Sequence, residues 1–291
     1  MVLIIGSNGQ LGREMQRKLS ARNHAFYACD FPEIDISSEE SMHALFNQIQ
    51  PRAVINCAAY TNVDKAETDE DAAYRINALG PMYLARLCKQ YDIELIHVST
   101  DYVFCGEAII ENGQPRPYVE SDPCSPATAY GRTKLEGERF VQTECPKHYI
   151  LRTAWLYGDG NNFVRTMLKL SETNSIVRVV HDQIGSPTST DDLSNAILEL
   201  MGSGEYGLYH ATCEGSCSWY DFAVRIFSES GISTVVQPVT TEEFPRPAPR
   251  PKWSVLENEH LKQVSKNVFR SWQNSLHAYL ESENTRRVSS V

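Results

Sequence analysis

No uninterrupted apolar run in this chain approaches the roughly 20 residues that a membrane-spanning helix requires. The opening segment, MVLIIGSNG, lacks a basic region and soon reaches glycine, which indicates a first β-strand instead of a secretion signal. No basic stretch is interleaved with aromatic residues, and the formal net charge is −10. We therefore expect no nucleic-acid or membrane partner, and any bound phosphate must be held locally by backbone amides or a few cations.

Cysteines with the spacing of a metal site are also scarce. Cys213 and Cys217 form a close pair, but no second pair or histidine cluster completes a zinc site. The other cysteines are scattered, at positions 29, 57, 88, 105, 124 and 145. This usage favours free thiols in a reducing cytosol and therefore predicts a cytoplasmic protein.

Strand patterns and helix patterns alternate along the first half of the chain. The first strand pattern, VLII at 2–5, is apolar throughout, as expected for a strand buried on both faces. Further strands are predicted at 25–29, 53–57, 94–99 and 149–153, and helices at 10–20, from 37, at 69–90 with a kink at Gly80-Pro81, and from 128. This order predicts a Rossmann-type α/β fold with a doubly wound parallel sheet. Ligands of such sheets bind beyond the carboxyl ends of the strands.

The second half of the chain has a looser rhythm. We assign 1–153 to the sheet domain and expect a helix at about 190–201 to pack back onto it. Residues 154–180 and 214–281 are predicted to form a smaller, substrate-binding lobe, in which the proline-rich segment 243–253 is extended. Residues 282–291 are predicted to be a disordered tail.

A glycine-rich loop directly follows the first strand and opens the first helix. Its spacing, GxxGxxG, is close to the dinucleotide-binding fingerprint, which needs a tight turn, backbone approach to a pyrophosphate and close helix–strand packing. A glycine turn without a ligand is the alternative, but the strand-loop-helix context favours a cofactor site. The predicted cofactor contacts in this loop are Gly6, Asn8, Gly9, Gln10, Leu11 and Gly12.

Two charged residues give opposite indications about the cofactor. Asp30 ends the second strand, where a carboxylate usually binds the ribose hydroxyls of NAD. Arg13 follows the last glycine of the loop and could instead meet the 2′-phosphate of NADP, so the preference stays open. Asp35 and Ile36 are predicted at the edge of the adenine pocket, with a helix-capping and core pair as an equal alternative.

Polar side chains at the end of the fourth strand face a tyrosine and a lysine on the next helix. Ser99, Thr100 and Asp101 lie at the carboxyl end of the strand, on the rim expected to face the cofactor. Tyr130 and Lys134 share one helix face because they are four residues apart. A strand-end hydroxyl can then hold a carbonyl oxygen while the tyrosine supplies its proton.

The lysine is expected to change the acidity of the tyrosine. An ammonium about 4 Å from a phenolate is worth roughly 4 kcal/mol at an effective dielectric constant near 20. That energy corresponds to about 3 pKa units and would bring a phenol from about 10 toward neutrality. An exposed tyrosine–lysine pair, the alternative, would give almost no shift.

Motifs spread over nearly the whole chain carry a resemblance to a known family. They are GSNGQLG 6–12, NCAAYTNVDKAE 56–67, INALG 76–80, STDYVFCG 99–106, YGRTKLEGE 130–138, RTAWLYG 152–158, NNFV 161–164, DQIGSPT 182–188, GSCSWYDFA 215–223 and RPKWSVL 250–256. On these motifs the chain resembles the extended short-chain dehydrogenase/reductase superfamily and, more narrowly, the dTDP-4-dehydrorhamnose reductase family.

The resemblance implies a reaction and the residues that carry it out. The reaction is NAD(P)H-dependent reduction of the 4-keto group of dTDP-4-dehydro-L-rhamnose to dTDP-L-rhamnose for surface polysaccharides, with NADPH slightly favoured. Tyr130 would protonate the alkoxide, Thr100 would hold its oxygen, and Lys134 would tune Tyr130 and bind the nicotinamide ribose. Further implied cofactor contacts are Ala58, Ala59, Tyr60 and Ser99, and implied substrate contacts are Thr61, Val63, Asp101, Trp155 and Arg250.

Some implied roles have ordinary alternatives. Trp155 would pack against the sugar ring, or it is a core tryptophan at a lobe boundary. Arg250 would bind the diphosphate, or it is a surface arginine. Some reductases of the family form dimers through magnesium and glutamates. Glu14 matches one such position, but Asp191 stands where a glutamate is expected, so we predict no metal site and leave open a monomer or a homodimer.

Related functions fit the motifs less well. Sugar-nucleotide dehydratases use an Asp-Glu pair after the threonine, whereas Asp101 is followed here by Tyr102. Epimerases carry a Ser/Thr-rich stretch at this place and are disfavoured less firmly. A non-catalytic regulatory subunit, like the β chain of methionine adenosyltransferase, would not need Thr100, Tyr130 and Lys134 together.

Overall fold

The computed structural model describes the backbone of residues 1–289, and their side chains except those of 284 and 286–289. In chain order, its strands are β1 (Val2–Ile5), β2 (Phe26–Cys29), β3 (Ala53–Asn56), β4 (Glu94–Thr100), β5 (Ile109–Glu111), β6 (Gln114–Arg116), β7 (His148–Thr153), β8 (Leu156–Tyr157), β9 (Ile176–Val180), β10 (Ile184–Gly185), β11 (Thr188–Ser189), β12 (Gly207–His210), β13 (Cys217–Ser218), β14 (Val235–Val239) and β15 (Trp253–Ser254).

Helices connect most of these strands. The α-helices are α1 (Gln10–Ala21), α2 (Glu39–Ile49), α3 (Val63–Ala66), α4 (Glu70–Tyr74), α5 (Gly80–Gln90), α6 (Ala129–Glu144), α7 (Phe163–Ser171), α8 (Thr190–Leu200), α9 (Trp219–Glu229), α10 (Glu259–Gln263) and α11 (Trp272–Ser289). A π-helical turn spans Arg75–Leu79, and a 3₁₀ turn spans Asp101–Val103. Within the described residues, no helix combines the length and the apolar character needed to cross a membrane.

Six parallel strands form the central sheet in the order β12-β7-β4-β3-β1-β2. The chain first winds from β1 to β2 and then returns to place β3 on the other side of β1. This reversal opens a crevice beyond the carboxyl ends of β1 and β3, where sheets of this type bind ligands. The predicted Rossmann-type α/β fold is therefore confirmed.

Apolar side chains leave both faces of the sheet and meet helices on each side. Ile4 packs in one cluster with Leu11 of α1 and Leu193 of α8. Leu3 points the other way and packs with Phe46 of α2. This alternation follows from the two-residue period of a strand, and burial on both faces explains why β1 is apolar throughout. The helix predicted at about 190–201 is α8, and it contacts α1 on this sheet.

The structure differs from the sequence-based expectations in several elements. The edge strand β12 was not predicted, because its sequence, GLYH, lacks the continuous apolar run that indicated β1. The helix predicted to kink at Gly80-Pro81 instead contains a π-helical turn just before Pro81, which has no N–H to continue an α-helix. In the region 282–289, predicted as part of a disordered tail, the structure continues α11, and Glu283 pairs with Arg165 at 2.8 Å. Residues 290–291 lie outside the described residues.

Segments assigned to the smaller lobe pair with one another. Strand β9 is parallel to β14, and β10 lies between β13 and β15. Helix α7 contacts α9. The assignment of 154–180 and 214–281 to substrate binding stays a prediction.

Candidate active site

The glycine loop between β1 and α1 is packed so closely that side chains would not fit. Gly6 has a φ of +80°, and a Cβ there would lie 2.5 Å from the amide nitrogen of Ala58. A Cβ on Gly12 would lie 2.2 Å from the carbonyl oxygen of Gly6. Helix α1 begins after Gly9 with no side-chain cap and no acidic residue in its first turn. Its first amides and its dipole therefore suit an anionic group such as a pyrophosphate.

Asp30 lies beside this loop at the end of β2. Its carboxylate accepts hydrogen bonds from the backbone amides of Asn8, at 2.7 Å, and Phe31, at 2.8 Å. These bonds hold the carboxylate where a ribose is expected. Arg13 lies 3.9 Å from Asp159 and does not line the cleft. Of the two residues that gave opposite indications about the cofactor, the structure therefore places only Asp30 on the cleft wall.

A cleft of about 650 Å³ opens above the carboxyl ends of the central strands. Its wall contains most of the residues predicted to bind cofactor or substrate. These are Gly6, Gly9, Gln10, Leu11, Asp30, Asp35, Ile36, Ala58, Ala59, Thr61, Val63, Ser99, Thr100, Asp101, Tyr130, Lys134 and Trp155. The binding roles themselves remain predictions.

Four predicted residues do not line the cleft. Gly12 is buried behind the loop, and Asn8 lies beside Asp30. Tyr60 is directed away, since its amide bonds to Asn77 and its hydroxyl to Asp69. The remaining one is Arg250.

Arg250 lies in a separate cavity of about 170 Å³. Its guanidinium pairs with Asp64 at 2.9 Å and donates to the carbonyl oxygen of Ala248. These contacts hold the proline-rich segment against α3. The second cavity shares only Tyr102 with the cleft, so the expected diphosphate contact is not preformed.

Thr100 and Asp101 form a hydrogen-bonded pair at the end of β4. The Thr100 hydroxyl donates to Asp101 Oδ1 at 2.9 Å and accepts from the amide of Tyr102 at 3.2 Å. Burial raises the pKa of Asp101 to about 7, and the hydrogen bond from Thr100 and the nearby Ser254 hydroxyl oppose this shift only in part. Thr100 and Asp101 lie at the carboxyl end of β4 and line the cleft, at the position that the sequence predicted.

The pKa of Tyr130 moves opposite to the expected direction. Burial raises it to about 12, and a hydrogen bond with Thr100 lowers it only partly. The charge of Asp101 raises it further, and Lys134 is not among the groups that shift it. The expected shift toward neutrality is therefore not found in this structure, where desolvation dominates. A phenol with such a pKa stays protonated near pH 7, which is the form a proton donor needs.

Lys134 is almost fully buried on the same face of α6. Its ammonium donates a hydrogen bond to the carbonyl oxygen of Val98 at 2.6 Å. Burial lowers the pKa of Lys134 to about 8, and the charge of Glu138 opposes this shift. Lys134 is therefore mostly cationic at neutral pH, and it loses its charge as the pH rises through about 8.

A buried ion pair that the sequence reading did not anticipate supports the end of β4. Ser99 lines the cleft, but its hydroxyl donates to Glu138 at 2.5 Å. Arg152 of β7 forms a two-pronged ion pair with the same carboxylate, with Nη2 and Oε2 at 2.7 Å. Helical spacing would have indicated Lys134, four residues earlier on α6, as the partner of Glu138, so the pair with Arg152 on another element could not be found from it. The Ser99 hydroxyl thus stabilises the buried ion pair and is not directed at a cofactor.

Trp155 lies on the cleft wall just past β7. Its ring stacks on that of Trp219, with centroids 3.5 Å apart and planes 7° apart. A Cβ on Gly185 would lie 2.5 Å from the Trp155 ring. Trp219 and Gly185 therefore hold the ring in place, and the predicted contact of Trp155 with a sugar stays a prediction.

Several cleft residues were missed by the sequence reading. Phe31, Ile76, Tyr102, Thr153 and Ala154 line the cleft as well. Thr153 could have been found, because it ends a central strand and ligands gather at such ends. Ile76 could not, since it reaches the cleft from the π-helical turn.

The possible magnesium ligands are already neutralised by cations. Glu14 pairs with Arg17, and Asp191 pairs with Lys18 at 2.5 Å and Arg270 at 2.8 Å. Among the described side chains, no group of three or more His, Cys, Asp or Glu could hold a metal ion. This donor set does not fit magnesium.

The parallel sheet, the closely packed glycine loop and the cleft with Thr100, Tyr130 and Lys134 define a Rossmann-type protein of the extended short-chain dehydrogenase/reductase class. Comparison with known families narrows this class. The family model described as the RmlD substrate binding domain matches residues 1–285. The chain belongs to this family.

Two solved structures and one sequence relative agree with this assignment. A dTDP-4-dehydrorhamnose reductase from Clostridium acetobutylicum is 50% identical, with a TM-score of 0.93 over 97% of this chain and 99% of that one. A dTDP-4-dehydrorhamnose reductase from Bacillus anthracis, in complex with NADP, is 40% identical, with a TM-score of 0.91 over 97% and 98%. The spore coat polysaccharide biosynthesis protein SpsK of Bacillus subtilis is 41% identical over 96% of both chains.

Proposed function

We propose that this chain is an NAD(P)H-dependent reductase of the 4-keto group of dTDP-4-dehydro-L-rhamnose. The observation that carries the proposal is the placement of Thr100, Tyr130 and Lys134 in one cleft with the glycine loop. The names of the two similar solved structures support the same activity. The protein therefore belongs to the synthesis of dTDP-L-rhamnose for polysaccharides.

The residues present fit a reduced dinucleotide. The amides of the first turn of α1 suit its pyrophosphate, and Asp30 suits a ribose hydroxyl. Ala58 and Ala59 line the cleft with small side chains, which leaves room for a flat ring of the dinucleotide. When bound there, the reduced cofactor would supply the hydride.

The chain's own groups handle the oxygen of the ketone. Tyr130 is protonated at neutral pH and donates its proton to the oxygen as charge develops there. Thr100 holds that oxygen by a hydrogen bond, which is stronger in a cleft from which water is excluded. Lys134 keeps a positive charge beneath the site and positions the nicotinamide ribose.

The sugar lies against the fixed ring of Trp155, with Thr61, Val63 and Asp101 around it. Arg250 can bind the diphosphate only if it first gives up its ion pair with Asp64. Binding through Arg250 therefore costs free energy that the other proposed substrate contacts do not require. All eight cysteines are free, which suits a cytoplasmic enzyme. The chain acts as a monomer or homodimer and has no nucleic-acid or membrane partner.

A coupled assay tests this proposal. Purified protein is mixed with dTDP-4-dehydro-L-rhamnose and either NADH or NADPH, and loss of the reduced cofactor is followed together with formation of dTDP-L-rhamnose. We expect consumption of at least one cofactor, and none with dTDP-glucose, which lacks the ketone. Binding of a cofactor without consumption would favour the regulatory-subunit alternative.

A further inference from the structure

Asp101 is a buried carboxylic acid group with one unused oxygen. It is 5% exposed and lines the cleft beside Thr100 and Tyr130. Its Oδ1 is bonded to the Thr100 hydroxyl, whereas its Oδ2 has no hydrogen-bond partner among the described residues. A buried carboxylate with a free oxygen is costly, so this group holds a proton more easily than an exposed one.

The Thr100 hydroxyl has one hydrogen and several neighbours. The amide of Tyr102 already donates to Thr100 Oγ1. When Asp101 is ionised, it can only accept, so the hydroxyl hydrogen is directed to Oδ1. Thr100 then has no hydrogen for the oxygen of a ketone.

We propose that protonated Asp101 positions the Thr100 hydroxyl for the reduction by donating to Thr100 Oγ1 and so turning its hydrogen toward the substrate oxygen. Asp101 is thus a positioning residue, and the ionised form leaves Thr100 turned away. No proton is consumed at Asp101, since the proton that the alkoxide receives comes from Tyr130. This inference rests on the proposed reduction.

The surroundings of Asp101 agree with a proton that is gained and lost near neutral pH. Burial raises its pKa to about 7. The groups that face it are the phenols of Tyr130 on α6 and of Tyr102 on the 3₁₀ turn, and the hydroxyl of Ser254 on β15. Both phenols have raised pKa values and stay neutral, so Asp101 is the group of this cluster that titrates near pH 7.

Asp101→Asn separates this role from a merely structural one. In Asp101→Asn, an amide oxygen at the position of Oδ2 can accept from the nearby Ser254 hydroxyl, and an NH₂ at the position of Oδ1 donates to Thr100 Oγ1. In this orientation the asparagine imitates the protonated acid at every pH. Thr100→Val removes the hydroxyl through which Asp101 acts.

The experiment measures the single-turnover rate of ketone reduction at saturating cofactor from pH 5.5 to 9. We expect the wild-type rate to fall as pH rises through about 7, by up to about 10²-fold, the usual effect of losing one such donor. Asp101→Asn should lose this break and keep only a later one, near pH 8, where Lys134 loses its charge. In the Thr100→Val background, Asp101→Asn should have no further effect.

Asp92→Asn, which changes an exposed carboxylate that pairs with Lys147, is the control and should keep the wild-type profile. A break near pH 7 that survives in Asp101→Asn overturns the inference, as does a rate at pH 6 as low as that of Thr100→Val. If the asparagine variant does not fold, infrared spectra of the wild type decide. A carboxylic acid band that titrates with the rate and moves in Thr100→Val supports the role, and its absence at pH 6 contradicts it. A wild type that reduces no ketone removes the proposed function, whereas the infrared titration still reports on Asp101.

Discussion

The ammonium of Lys134 donates a hydrogen bond to the carbonyl oxygen of Val98 at 2.6 Å. This bond joins α6, which carries Tyr130, to β4 two residues before Thr100. Lys134 is 1% exposed, and the nearest carboxylate on its helix, Glu138, is already paired with Arg152. The cleft therefore contains a buried charge with incomplete compensation.

Replacing Lys134 with methionine should raise stability and lower function. The pKa of Lys134 is about 8 in the folded chain and about 10.4 in an unfolded one. Folding therefore disfavours the charged form, a cost that is full below pH 8 and vanishes above about pH 10.4. We expect Lys134→Met to gain about 1 to 2 kcal/mol at pH 7 after loss of the bond to Val98, and to bind cofactor less tightly with an altered pH optimum.

Chemical unfolding at pH 7 and pH 10 checks this expectation, together with cofactor titration. Lys147→Met, at an exposed ion pair with Asp92, is the control and should give no gain. A Lys134→Met protein that is no more stable than the wild type at pH 7 would show that the buried charge is better compensated than the contacts indicate.

Replacing Tyr130 with phenylalanine should abolish the proton transfer and leave the cofactor site intact. We expect turnover to fall by about 10²- to 10⁴-fold, the usual contribution of a general acid. Because the pKa of Tyr130 is raised to about 12, its ionisation should not limit the wild-type rate below about pH 11. Steady-state rates and cofactor titration are the measurements, and unchanged turnover would remove Tyr130 as the acid.

Gly12 and Gly9 should respond differently to alanine. A Cβ on Gly12 meets the carbonyl oxygen of Gly6 at 2.2 Å, so the loop must move. A Cβ on Gly9 meets the same oxygen at 3.4 Å, an ordinary contact. Gly12→Ala should therefore lose about 1 to 3 kcal/mol of stability and most cofactor affinity, while Gly9→Ala should keep the stability. Equal thermal unfolding midpoints for the two variants would contradict the packing seen here.

Asp30 should control the choice between the two cofactors. A carboxylate accepts the 2′-hydroxyl of NADH but repels the 2′-phosphate of NADPH. Asp30→Asn should change the ratio of the two dissociation constants by roughly tenfold in favour of NADPH, since about 1.4 kcal/mol of repulsion is removed. Asp35→Asn, in the same cleft, is the control, because its carboxylate serves the amide and hydroxyl of Ser37. An unchanged ratio in Asp30→Asn would assign the selection to other residues.

Much of the site could be predicted because it depends on local order. Strand ends and helix starts follow from periodicity and from glycine spacing, so Thr100, Tyr130 and the glycine loop were found at the correct rim. Arg250 lies outside the cleft, and its diphosphate role stays a prediction, because nothing in a proline-rich segment indicates which partner its arginine will meet. It meets Asp64, which lies 186 positions earlier in the chain.

Short-range patterns were thus enough to predict the parallel sheet, the dinucleotide loop and the family, because the motifs that indicate each of them consist of residues a few positions apart. Proton affinities and long-range partners came from folding, because desolvation and charge pairing depend on which distant segments meet. Tyr130 illustrates the difference. The sequence shows its four-residue spacing from Lys134, yet the burial that raises its pKa and keeps it protonated arises only when α6 packs against β4 and the 3₁₀ turn that follows it.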